Sequence, residues 1–220
     1  MKKIIPHVKS IRSLLENSHY ALDYYQREYK WQTKQVQDLI NDLTDSFLDY
    51  YDRKHDQQEI KSYGIYFLGS IITCSKNEKK YIIDGQQRLT TITLLLIYIR
   101  HRIKDDEQKA SLLNLIYSYE YGKTSFNIEV EERKQILQKI LKGEETNNFE
   151  NMNESLKNMF QCYNELEELF PEEFDEKTFL YFSHWLIQKV YLIEIETENE
   201  EDAYTIFETM NDRGLPLSPV

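Results

Sequence analysis

The chain has 220 residues, with 27 Lys and Arg against 38 Asp and Glu and a net charge of −11. That balance excludes a protein that grips nucleic acid over its whole surface, which would carry the opposite sign. With 40% hydrophobic and 13% aromatic residues but only six Gly and four Pro, a disordered chain and a turn-rich β-sandwich are also excluded, and long helices are expected. The start, MKKIIPHVKS, has no apolar run of signal-peptide type, and the longest apolar runs, such as Leu94–Ile99, are too short to span a bilayer. Cys74 and Cys162 stand far apart without a CxxC, and the histidines show no ligand spacing. Neither a disulfide scaffold nor a zinc site is expected, and a reducing cytoplasm fits.

In chain order, Ser10 to Glu16 reads as a short helix and His19 to Tyr24 as a brief strand. Thr33 is the expected N-cap of a longer helix with Val36, Leu39, Ile40, Leu43, Phe47 and Tyr51 on one face and Asp38, Asp42, Asp45 and Asp49 on the solvated side. Tyr63–Cys74 reads as a buried strand, Ser75–Lys79 as a turn and Lys80–Asp84 as a second strand, which predicts a hairpin. A helix from Gln86 to about Lys104, apolar almost throughout, is expected at the centre of the core. Further helices are predicted over 106–120, 130–142, 153–170, 175–188 and 200–210, with a polar loop at Gly143–Asn153 and a strand at Val190–Thr197. Ser218-Pro219 has the form of a helix start, so the chain is expected to be a fragment of something longer.

Three segments carry polar chemistry. In Tyr81-Ile-Ile-Asp-Gly-Gln-Gln-Arg-Leu-Thr-Thr91 an apolar strand ends in Asp84-Gly85 and a helix opens at once. Free N–H groups there suit an anion, Gly85 allows close backbone approach, and Arg88 could fork onto a phosphate. Asp84 could hold magnesium, orient a water or simply cap the helix, and Gln86, Gln87, Thr90 and Thr91 add polar groups. A plain strand–turn–helix with an Asp cap and a surface Arg fits the same residues equally well. In Tyr24-Tyr-Gln-Arg-Glu-Tyr-Lys-Trp31, aromatics interleave with Arg27 and Lys30, a mix that can stack on a base or merely anchor a loop. In Phe207-Glu-Thr-Met-Asn-Asp-Arg-Gly-Leu-Pro-Leu217, Gly214 is the expected end of a helix, with Asn211 and Arg213 beside it. Gly64–Ser70 lacks the Lys of a phosphate loop, and Gly122-Lys-Thr124 lacks its leading glycine, so no Walker A sequence is present.

Together, YQREYKW, FLGS followed by IIDGQQRLTT, and FETMNDRGLPLSP resemble the N-terminal domain family of GmrSD-type modification-dependent restriction systems, whose hallmark, DGQQR, stands unbroken at Asp84–Arg88. The resemblance spans roughly residues 10–220. It implies an α+β, helix-rich fold, a small mixed sheet of ParB/sulfiredoxin-like type with a largely helical second half. The expected divisions are 1–104 for the core, 105–189 for a helical region and 190–220 for a strand and helix returning to the core.

The resemblance also implies nucleoside triphosphate binding and hydrolysis with Mg²⁺, coupled to DNA restriction in phage defence. Asp84, Gln87, Arg88 and Glu208 are the candidate catalytic residues. Gly85, Gln86, Arg27, Tyr25, Trp31, Thr90, Asn211 and Arg213 are the candidate nucleotide contacts, and Asp84 is the candidate Mg²⁺ ligand. DNA and a nuclease domain, in cis or in trans, are the implied partners, with homo-oligomerisation open and no membrane association. A nucleotide or DNA sensor that turns nothing over, and a ParB-like nuclease, are the alternatives.

Charge is unevenly spread. Residues 105–220 hold 10 basic and 26 acidic side chains, whereas residues 76–104 hold seven basic and two acidic, and that stretch contains DGQQR. A local positive field suited to a polyphosphate or a DNA strand is therefore expected there.

Overall fold

The computed structural model describes residues 4–22, 28–76, 79–120, 123–144 and 152–213, with the backbone alone for 119–120, 123–124 and 211–213. It is α+β and helix-rich, as the motifs imply, with a mixed six-stranded sheet and a small two-stranded one. The strands are β1 (Ile5–Ser10), β2 (Tyr20–Leu22), β3 (Tyr66–Lys76), β4 (Lys79–Asp84), β5 (Tyr117–Glu120), β6 (Lys123–Phe126), β7 (Ile128–Glu129) and β8 (Val190–Thr197). The helices are α1 (Ile11–Leu15), α2 (Thr33–Leu48), α3 (Gln86–Arg102), α4 (Asp106–Ile116), α5 (Glu131–Lys142), α6 (Glu154–Leu169), α7 (Glu176–Lys189) and α8 (Glu200–Arg213).

The large sheet has the order β1-β8-β3-β4-β2-β7. The hairpin partners β3 and β4 are antiparallel, as are β1 and β8, whereas β8 runs parallel to β3 and β2 runs parallel to both β4 and β7. Alternation along the strands sorts side chains to two faces. Ile71 of β3, Ile82 of β4 and Leu192 of β8 join the main core, shared with α1 to α7. Ile72, Cys74 and Ile83 face the other way and meet Ala203 of α8, with Ile195, Tyr204 and Phe207 packed around them. The centre of the main core is α3, in which every residue from Leu89 to Ile99 is buried. A helix apolar on all sides is stable only when neighbours surround it, and α4, α6 and α7 do so.

Several elements depart from the sequence-based expectations. The helix read over 106–120 ends at Ile116, and the chain turns extended as the β5–β6 hairpin. The cross-strand pair Tyr117–Phe126, with ring centroids 4.9 Å apart, favours the extended form. Next to it, the buried Asn127 side chain donates to Leu15 O and Asn114 O, both at 2.9 Å. Strand β1 was not foreseen; it contains Pro6, which an edge strand tolerates. Thr33 begins α2 but does not cap it: Gln32 is the N-cap, its N–H donates to Gln35 Oε1 at 3.1 Å, and the Thr33 hydroxyl donates to Glu165 Oε2 at 2.7 Å. The predicted apolar face of α2 is buried from Val36 to Phe47, but the helix ends at Leu48 with Asp49 as its C-cap, so Tyr51 lies beyond it and is half-buried; Asp38, Asp42, Asp45 and Asp49 are exposed. Gly143 closes α5 with φ of 68°, where the polar loop was expected to begin. Ser218-Pro219 lies outside the described residues.

A carboxylate sits on the core face of the sheet. Glu194 of β8 is fully buried. Lys9 Nζ lies 2.6 Å from its Oε2, and Lys80 Nζ, Tyr20 OH and Thr73 Oγ1 donate to its Oε1 at 3.0, 3.3 and 3.1 Å. Five strands thus contribute to one ion cluster, since these residues lie on β8, β1, β4, β2 and β3. Burial pushes the Glu194 carboxyl upward, but the two ammonium groups outweigh that and hold it below its ordinary value.

Candidate functional site

Strand β4 ends at Asp84, Gly85 turns the chain, and α3 opens at Gln86. Gly85 has φ of +91°, and a Cβ there would run into Ile71 Cγ2 on the neighbouring strand. The turn therefore requires glycine on two counts. Gly85→Ala is expected to cost about 2 kcal/mol or more in urea unfolding, from left-handed strain plus displacement of a core residue. The Asp84 side chain is partly exposed and makes no hydrogen bond or ion pair with another described residue. Gln86 Oε1 is buried without a described partner, an acceptor left over at the helix start.

The next two side chains are each tied to another segment. Gln87 clamps the main chain of the residues before α2: its Oε1 accepts from Lys30 N at 2.9 Å and its Nε2 donates to Glu28 O at 2.8 Å. One amide meeting one donor and one acceptor fixes its own orientation. Arg88 Nη1 donates to Ser70 O at 2.8 Å on β3. Its guanidinium lies over Gly69, which has φ of +105° and would bring a Cβ within 3.3 Å of Nη1. The pairing of β3 with β8 shifts register between Phe67 and Ser70, so a bulge at Gly69 makes the room that Arg88 fills. One Arg88 nitrogen is thereby committed to structure, and the rest of the fork keeps its donors.

DGQQR thus joins the ends of two other motifs, YKW through Gln87 and FLGS through Arg88. The family profile of the GmrSD restriction endonuclease N-terminal domain matches residues 11–220. The chain belongs to this family. No curated protein matches it.

The remaining candidate residues of this GmrSD N-terminal domain are dispersed. Thr90 faces the interior, 4% exposed, and its hydroxyl accepts from Arg133 Nη1 at 3.0 Å, so it does not present its oxygen at the helix start. Trp31 packs against the core and lines a cleft of about 240 Å³ with Thr33, Asn158, Cys162 and Glu165. Glu208 is exposed on α8 and makes no hydrogen bond to another described residue. Asn211 and Arg213 belong to α8 by backbone, their side chains outside the described set, as are Tyr25, Arg27 and Gly214 entirely.

The expected positive field is largely neutralised. Lys76 pairs with Glu200 at 2.9 Å, Lys80 with Glu194 and Glu196 at 3.0 Å, Arg102 with Glu167 at 2.9 Å and Lys104 with Glu176 at 2.6 Å. Acids of the second half thus cover bases that cluster only in sequence, and Arg88 is the one basic residue in the first turn of α3. Among the described residues no three His, Cys, Asp or Glu side chains group to hold a metal unaided, and none of the helices is long and apolar enough to cross a membrane.

Sequence reasoning missed Tyr29, Gly69 and Ser70 as parts of this site. Tyr29 is buried, with its hydroxyl 2.8 Å from Thr91 Oγ1 and 3.3 Å from Cys162 Sγ, and its N–H donating to Ser155 Oγ at 2.7 Å. Burial drives the Tyr29 hydroxyl upward and the Cys162 thiol up to about 11, so neither is an acid–base group at neutral pH. A glycine interrupting the apolar run Tyr66–Ile72 was the available signal for Gly69.

Proposed function

We propose that this chain is the nucleotide-binding, Mg²⁺-dependent nucleoside-triphosphate-hydrolysing domain of a modification-dependent restriction protein of phage defence, with the Asp84–Arg88 turn as its site. The observation carrying this reading is that Asp84, at the open N-terminus of α3, has no described partner while Gln87 and Arg88 beside it are immobilised. Free N–H groups of the first turn and the remaining Arg88 donors would receive phosphate oxygens. Mg²⁺ held largely by phosphate oxygens requires one or two protein carboxylates, and Asp84 fits that need. Bound there, the ion would neutralise developing charge on the phosphates. Catalysis would rest on positioning and electrostatics, as in other phosphoryl transfers. DNA is the target of the complete system, with a nuclease domain as its partner.

The test is calorimetric titration of ATP, GTP, CTP and UTP with Mg²⁺, followed by a phosphate-release assay. Binding of at least one triphosphate with release above background is expected, and absence of any binding would sink the reading. A second reading, a sensor that binds without turnover, draws on the fact that Gln87 and Arg88 both hold main-chain groups; binding without phosphate release would select it.

A further inference from the structure

The outer face of the large sheet is only partly covered. Helix α8 seals Ile72, Cys74 and Ile83. Toward the β1 edge, the register places two rows across β1, β8 and β3 on that same face: Val8, Ile193 and Ser70, then Ser10, Tyr191 and Phe67. Val8 is 72% and Phe67 57% exposed, and Ile65, one alternation before Phe67, is 70% exposed. Single apolar side chains at a surface need no explanation, but a contiguous group on one sheet face does. The exposed parts of these side chains sum to on the order of 400 Å², the scale of patches that mark interaction sites. None of the residues in the two rows carries a charge, in a chain that is 30% charged.

We propose that this face is where two copies of the chain meet, in a reversible, two-fold symmetric dimer. Charge selects this occupant. At a net charge of −11, two copies repel over most of their surface and approach best through a face free of charge. A partner that docks by charge would find no complementary group there. A two-fold axis sets each patch on the other, so an uncharged apolar face is its own match. Contact is face to face rather than strand to strand, because Pro6 offers no N–H on β1 and blunts its open edge. With a polar rim, the pair buries about 1,000 Å² in all, which suits a weak dimer and not a permanent one. Ser70 stands in the middle of the face and its carbonyl accepts from Arg88, so the copies meet beside the α3 turn. The dimer needs no nucleotide at that turn.

The experiment is sedimentation equilibrium of the full chain without nucleotide, for wild type, Val8→Glu, Phe67→Glu and Asp38→Arg. Wild type is expected to move from monomer to dimer with a dissociation constant on the order of 10 µM. Each glutamate should raise that constant by about tenfold or more, since a charge is buried twice across a two-fold axis with nothing to pair it. Asp38→Arg, an exposed change on α2 at the opposite side of the sheet, should leave it within about twofold. Urea midpoints report whether each variant is folded; if one glutamate variant is not, the other decides. A second readout uses the burial of both native cysteines. In Val8→Cys the one accessible thiol among the described residues should react with a maleimide more slowly as protein concentration rises through the dissociation constant. A wild-type chain that stays monomeric throughout overturns the proposal. So does a dimer that survives either folded glutamate variant, because the copies would then meet through another face. Phosphate release and nucleotide titration are not read here, so failure of the nucleotide reading and failure of the dimer are told apart.

Discussion

Arg88→Ala is expected to reduce triphosphate turnover by about 10³-fold or more, the scale on which an arginine acts on a phosphoryl group in transfer. Part of any effect is structural, because Arg88 Nη1 holds Ser70 O and the guanidinium fills the space over Gly69. Losing that charge-assisted hydrogen bond should cost about 1.5–3 kcal/mol of stability. Arg88→Lys separates the two contributions. It keeps a charge but cannot meet Ser70 and a phosphate with one planar group. A stable, folded Arg88→Lys with turnover near that of Arg88→Ala would show that the fork is what matters. Turnover near wild type in Arg88→Ala would remove the residue from the chemistry. The assay is initial phosphate release at saturating nucleotide, beside urea unfolding of each variant.

The second large effect is expected at Glu194. Replacing it by Gln removes the anion facing both Lys9 and Lys80, and should destabilise the fold by about 3–5 kcal/mol, as for other buried pairs deprived of one partner. Glu196, 3.0 Å from Lys80, softens the loss on one side only. The cluster also sets a pH dependence. Because the folded pKa of Glu194 is depressed, its contribution is fully present above the unfolded value, near 4.5, and is lost as pH falls through the lower folded value. Lys80 has the opposite sign. Its raised pKa gives a contribution complete below about 10.5 and lost above it. Urea midpoints from pH 3 to pH 7 should therefore rise steeply at the acid end in wild type and less steeply in Glu194→Gln. Parallel pH profiles for the two proteins would rule the cluster out as their source.

Local patterns carried much of the fold. The apolar run of α3, the β3–β4 hairpin and the alternation of β8 each show in a few consecutive residues, and each is present where the pattern puts it. The turn at Gly85 was legible for the same reason. Elements set by distant partners were not. Strand β1 exists because β8 lies beside it, and the β5–β6 hairpin depends on a cross-strand ring pair and on Asn127 reaching Leu15 and Asn114. The site shows the same division. Asp84 to Arg88 could be read as a unit, but nothing local says that Gln87 clasps Glu28 and Lys30 or that Arg88 rests on Gly69. Glu194 stands in a predicted strand, but nothing local says that lysines from two other strands converge on it. The basic excess of residues 76–104 misled for a related reason, since its partners lie 65 to 124 residues away on α6, α7, β8 and the start of α8.

The position of β8 has a consequence for how the chain comes to be folded. The last strand of the large sheet in sequence lies between β1 and β3, pairing Ile5 with Glu196 and Cys74 with Thr197. While residues 190–197 are still unmade, β1 has no neighbour, and β3 and β4 can form only a hairpin fragment with one edge open. The helices of the main core can gather early through local contacts, but the sheet closes only when the chain has returned across nearly its whole length. Non-local pairing of this kind slows folding. It also makes the sheet all-or-none with respect to its end: a chain cut between α7 and β8 would keep most of its helices yet expose the inner edges of β1 and β3 to intermolecular pairing, so it should aggregate rather than persist as a smaller stable domain.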